Sequence, residues 1–80
     1  MDLERVVLQY LAEEEFEYES NLVELVRLHG LEASTGEELV KRWFARGWLE
    51  RLEQQGTEFA PLVHLTEQAY ADLPWLAQVT

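Results

Sequence analysis

"TGEELVKRWFARGWLE", Thr35 to Glu50, is the stretch on which the reading of the whole chain turns. Thr35 followed three residues later by Glu38 is a capping-box pattern, in which the two side chains satisfy backbone N–H groups that a helix start leaves unpaired. Leu39, Val40, Trp43 and Phe44 then recur at helical spacing and form one apolar stripe. Gly47 can take the left-handed conformation that closes a helix, so the stretch predicts a helix from about Gly36 to Arg46.

Upstream, "LEAS" reads as a turn, preceded by a helix that carries Leu22, Leu25, Val26 and Leu28. Ser20 or Asn21 is its expected N-cap, and Gly30 after His29 its stop. Before it, Leu3, Val6, Val7, Tyr10 and Leu11 predict a first helix from about Asp2 to Glu14, fraying into the acidic run "EEEFEYES". Downstream of Gly47 the period becomes two: "WLERLE" and "EFAPLVHL" flank "QQGT", a polar connection suited to a hairpin. Phe59, Val63 and Leu65 share one face of the second strand, and Ala60, Leu62 and His64 the other. Pro61 has no N–H to give to a ladder, which assigns its strand to a sheet edge. Thr66 is the expected N-cap of a last helix, "TEQAYADLPWLAQ", which Pro74 should end or kink.

Three helices, a two-stranded hairpin and a C-terminal helix make a mainly helical α+β chain with the element order of a winged helix-turn-helix, expected as one domain over residues 1–80. "LVKRWFARGWLERLEQQGTEFAPLVHLTEQAYADL" resembles the third helix, wing and following helix of bacterial winged-helix regulators, and the pattern extends over about residues 22 to 73. The resemblance implies that the third helix is a recognition helix, with Glu37, Glu38, Lys41, Arg42 and Ala45 in the outward positions used for DNA, and that "LEQQGTE" is the wing tip.

Composition supports a folded chain and narrows its chemistry. Of 80 residues, 48% are hydrophobic, with three Trp, three Tyr and three Phe, which is too much core-forming material for a disordered segment. The absence of Cys excludes disulfides, thiolate metal sites and a cysteine nucleophile. No secretory pattern opens the sequence and no apolar run approaches the roughly 18 residues of a membrane span, so a soluble cytoplasmic protein is expected. His29 and His64 lie in no metal-ligand motif, and His29 reads as a cation-capable group near a helix C-terminus. No phosphate-cradling loop or nucleophile motif is present, so neither enzymatic activity nor a cofactor, metal or small-molecule ligand is expected.

Charge bears on partners. The formal net charge is -10, yet Lys41, Arg42, Arg46 and Arg51, four of the six cations, fall in or just after the opening stretch. Lys41, Arg42 and Arg46 are therefore the candidate DNA-binding residues. Against them stand Glu37 four residues before Lys41, Glu38 four before Arg42 and Glu50 four after Arg46, spacings that favour mutual neutralisation. The wing tip "EQQGTE" brings two acids and no cation, which predicts no measurable affinity for random duplex at physiological salt. Trp43, Phe44 and Trp48 are expected in the core, with Leu39, Leu49, Val63, Leu65, Val7 and Leu25. Trp75 and Leu76, beyond Pro74, are a candidate partner or homodimer surface, which requires Trp75 to be largely exposed. Three readings follow. The first is a non-catalytic winged-helix adaptor that binds another protein or its own copy. The second is a dimeric DNA-binding transcription regulator using the third helix. The third is an acidic DNA mimic built on "EEEFEYE" with Glu24.

Overall fold

The apolar stripes are joined by short connections, so the first helix lies against the second and the second against the third. The computed structural model describes residues 2–57 and 60–78, and the side chains of 53–57, 60 and 78 are not described. In chain order the elements are α1 (Leu3–Glu14), β1 (Glu17–Tyr18), α2 (Glu19–Leu28), α3 (Ala33–Ala45), β2 (Leu49–Thr57), β3 (Ala60–Leu65), α4 (Glu67–Asp72) and a 3₁₀ turn, Pro74–Gln78. This is a winged helix-turn-helix: α2 and α3 pack together, and β2 and β3 form the antiparallel wing.

Local chemistry explains most boundaries. Asp2 caps α1 by accepting the Arg5 N–H at 3.2 Å. Gly30, at φ +92, follows the end of α2, where His29 Nδ1 lies 2.8 Å from the Leu25 carbonyl oxygen. At the end of α3, Gly47 takes φ +77. Its N–H bonds to the Phe44 carbonyl at 3.0 Å, and the Trp48 N–H to that of Trp43 at 2.9 Å. That pair of bonds is a Schellman motif, and it turns the chain from helix into wing. Thr66 caps α4, accepting the Ala69 N–H at 3.2 Å and donating to the Gly47 carbonyl at 2.5 Å, so one hydroxyl pins α4 to the corner after α3.

Five expectations are corrected. Ser20 and Asn21 do not cap α2, which starts at Glu19 with Tyr18 in the capping position and no side-chain cap. The reason is β1: "EEEFEYES" does not fray but turns at Glu15 and pairs as a short third strand, Glu17 with Val63 and Tyr18 with Leu62. The Thr35–Glu38 capping box is not formed, because α3 begins at Ala33 and Thr35 is already inside its first turn. Glu32, Ala33 and Thr35 continue the helical path, with the Thr35 N–H on the Glu32 carbonyl at 3.0 Å. Pro61 does not mark an edge strand, since β3 is the central strand in the order β1-β3-β2. The ladder accommodates it because β1 reaches only Leu62 and Val63, while the β2 register shifts between Leu52 and Thr57, on either side of Pro61. Finally, "QQGT" is strand rather than loop as far as Thr57, which pairs with Ala60. The expected position of Phe59 lies outside the described residues.

The core lies between the helices and one face of the sheet. Trp43, Leu49, Val63, Leu65 and Val7 are buried as expected, and Leu39 and Leu25 are partly buried against them. Leu8, fully buried, joins this cluster, and Leu62, expected on the opposite face from Val63, is also buried. Trp43 and Trp48 each meet the polarity of the indole N–H at the rim of the core: Trp43 Nε1 donates to Glu4 at 2.6 Å and Trp48 Nε1 to Asp72 at 2.7 Å. Phe44 is partly buried beside them. Pro74 ends α4 as expected and opens the 3₁₀ turn, whose Leu76 enters the core at 2% exposure.

Candidate nucleic-acid interface

The apolar stripe of α3 fixes which side faces out. With Val40 and Trp43 buried, Glu37, Glu38, Lys41, Arg42, Ala45 and Arg46 are all exposed. Ser34, Thr35, Glu38, Leu39 and Arg42 line a shallow open depression along the first turns of the helix. Close packing of α3 on α2 holds this face in place: at Gly36, an added Cβ would lie 3.1 Å from the Cα, Cγ1 and carbonyl oxygen of Val23.

The electrostatics of this face differ from the sequence expectation. Among the described residues the ion pairs are Arg27–Glu24 and Arg51–Glu19, and Glu50 lies against His64. The neutralising pairs Glu37–Lys41 and Glu38–Arg42 are therefore not formed, and neither is Glu50–Arg46. Exposed pairs of this kind are weak against hydration and side-chain entropy, which is why spacing alone does not secure them. Glu50 stands opposite His64 in the ladder and lies 3.2 Å from its Nε2, while Arg46 turns back to lie 5.0 Å from the centre of the Trp48 ring. Lys41 and Arg42 thus point from the outer face of α3 with no carboxylate bound among the described residues.

The remaining cations serve the fold. Arg51 reaches from β2 to Glu19 at the start of α2, at 3.2 Å to both carboxylate oxygens, and lies 4.9 Å from the centre of the Phe44 ring. Arg5 lies 4.9 Å from the ring centre of Trp75. That ring is only partly exposed and packs on the core, so the expected large exposure of Trp75 is corrected. Leu76 is enclosed in the chain's own interior, which leaves Trp75 as the member of that pair with surface for a partner. The side chains of the wing tip lie outside the described residues.

The acidic run has internal structure that its composition does not reveal. Glu17 accepts the Tyr10 hydroxyl at 2.6 Å, the Tyr18 N–H at 2.8 Å and the Asn21 amide at 2.9 Å, joining α1, β1 and α2. Burial acts to raise its pKa, but these three donors outweigh it and hold the carboxyl below its ordinary value. The bond to Glu17, with burial and the charges of Glu17 and Glu14, pushes Tyr10 up to about 12. Glu24 is lowered by its bond to Arg27. Glu17, Glu19 and Glu24, three carboxylates a DNA mimic would display, are thus engaged within the chain. The cross-strand juxtaposition of Glu50 and His64 was signalled in sequence only by the hairpin register. No group of three His, Cys, Asp or Glu side chains arranged to hold a metal occurs among the described residues, and no helix there is long and apolar enough to cross a membrane.

No protein-family model matches the chain, and neither does any curated protein. Solved structures do. A cysteine-to-serine mutant of MarR from E. coli, complexed with operator DNA, superposes with a TM-score of 0.67 at 22% identity over 99% of this chain. Another crystal structure of the same mutant gives a TM-score of 0.70 at 22% identity over 99% of this chain. The chain spans about half of those MarR chains, 54% and 56% respectively. The likeness is one of fold, and it is to a winged helix.

Proposed function

We propose that the chain is a non-catalytic winged-helix module of a DNA-binding regulator, which meets the duplex with α3. The observation that carries this reading is the exposed pair Lys41 and Arg42 on the outer face of α3, without carboxylate partners among the described residues. It reverses the order of the readings drawn from sequence, where the cation-free wing and the Glu partners expected for Lys41, Arg42 and Arg46 favoured an adaptor. Likeness to MarR, whose structure holds operator DNA, supports the same choice. Affinity for DNA comes largely from phosphate neutralisation and counterion release, so two or three cations per chain give weak, strongly salt-dependent binding. A net charge of -10 slows the approach to a polyanion further. Two copies acting together would double the cations facing the duplex, which is the advantage a homodimer brings.

The adaptor reading keeps support from the large apolar side chains left on the surface, Leu28 above all. The two activities are compatible, because they use different faces. NMR titration of the isotopically labelled protein with a random-sequence duplex at about 50 mM salt separates them. Shifts concentrated on residues 34–46 support the DNA reading. A spectrum unchanged at millimolar duplex, or shifts confined to α1 and α2, would leave the adaptor alone.

A further inference from the structure

Outside α3, one surface combines apolar area and a concave shape with carboxylates beside it that are free among the described residues. Asn21, Glu24, Leu25 and Leu28 follow one another at helical spacing along α2, and with Tyr10 from α1 they line a mostly apolar groove of about 190 Å³, room for one large side chain. Leu25 is half-buried at its base. Leu28 stands at its lip at 68% exposure, the highest of any large hydrophobic residue among those described, and Leu31 adds another exposed Leu three residues further on. Nothing in the fold requires a leucine there, because Leu22 and Val26 already provide the buried side of α2.

The rim is acidic. Glu13 and Glu14, exposed beyond the groove lining, continue the Tyr10 side of α1 at three and four residues' spacing and supply its free charge, while Glu24 in the groove wall is already paired with Arg27. Residues 1–36 as a whole carry nine acids and two cations. A second copy of the chain would bring another -10 charge to an already acidic rim, so self-association there is opposed by like charge. An apolar groove with an acidic rim is complementary to an amphipathic segment that has apolar anchors and flanking Lys or Arg.

We propose that the α1–α2 groove docks a basic amphipathic helix of a partner protein, with one apolar anchor seated between Tyr10, Leu25 and Leu28. The proposal does not rest on DNA binding, since the surface lies away from the outer face of α3. The partner's cations would offset part of the charge that opposes approach to DNA, which gives the two surfaces a reason to occur together.

The test uses two synthetic helical peptides of equal positive charge, one with leucines at four positions of a helical face and one with serines there. Calorimetry and NMR at about 50 mM salt should show the leucine peptide binding at least tenfold more tightly than the serine peptide, with shifts at Tyr10, Leu25 and Leu28. Leu28→Ser, an exposed and charge-neutral change, should weaken the leucine peptide at least tenfold, while Phe16→Ser, at another exposed apolar residue, should not. Equal binding of the two peptides, an unaffected Leu28→Ser variant, or no binding would overturn the proposal. Melting curves of both variants establish that each remains folded.

Discussion

Glu15 ends α1 at φ 72 and ψ -42, a conformation that costs most side chains energy and that glycine adopts freely. Its N–H still closes the helix on the Leu11 carbonyl at 2.9 Å, so the strain is held by the last turn of α1 and by β1 on either side. Glu15→Gly should therefore stabilise the fold by about 1 kcal/mol despite the added freedom of the unfolded chain, raising Tm by about 4–8 °C in a domain of this size. Unchanged or lowered melting would show that the conformation is not strained. Two residues on, Glu17 draws Tyr10 and Asn21 together. Its lowered pKa means that this contribution is present above the unfolded carboxyl value of 4.5 and is lost as pH falls through the lower folded value. Tyr10 behaves in the opposite sense, with a contribution complete below pH 10.0 and lost as pH rises to about 12. Denaturant midpoints should therefore place the parent above Tyr10→Phe at pH 8, with the difference closing between pH 10 and 12. A constant difference would contradict the bond. The bond was not legible in the sequence, where Tyr10 belongs to the apolar stripe of the first helix and Glu17 is one acid in a run of five; it arises because the turn at Glu15 carries Glu17 back beside Tyr10.

Elements were legible where their cause is local. α1, the stops of α2 and α3 at glycines and the Thr66 cap all follow from spacing and capping chemistry. The start of α3, where backbone bonds to Glu32 replace the capping box, and the place of β3 in the sheet, which depends on the distant β1, did not. Gly36 shows the difference. Read as the first residue of a helix, it lies instead inside α3, where α2 comes closest to it at Val23. Gly36→Ala gains about 1 kcal/mol of helix propensity but forces backbone contacts of 3.1 Å apart, at a cost of about 1–3 kcal/mol. A net loss of about 1 kcal/mol by chemical denaturation is expected, and a gain would mean that α2 yields easily. Trp43 was legible from the stripe alone, and its Nε1 bond to Glu4 adds a tie to α1 that spacing could not reveal. Trp43→Ala should cost about 3–5 kcal/mol, enough to unfold much of the population. Melting within a few degrees of the parent would contradict the assigned core face.

For the molecule as a whole, net charge was the plainest quantity in the sequence and the least informative about the interface. The cation-free wing tip and the Glu spacing along α3, rather than the sum of -10, argued against measurable DNA binding. The structure divides that sum by place: Glu17, Glu19 and Glu24 are tied within α1, β1 and α2, Arg51 is drawn to Glu19, and Lys41 with Arg42 remain on the outer face of α3. Which cations stay available is set by contacts such as Arg46 over Trp48, and these come from the turn after α3 rather than from composition. The reading of α3 as a DNA-contacting helix requires Lys41 and Arg42 to meet phosphates. Its most direct test is the slope of log affinity against log salt for a duplex oligonucleotide, measured for the parent and for Lys41→Ala with Arg42→Ala. Each phosphate contact contributes about -0.9 to that slope, so the parent should bind in the micromolar range near 50 mM salt with a slope of about -2 to -3, and the double variant should lose about two units of slope. Equal slopes in the two proteins, or no binding by the parent at low salt, would contradict the account.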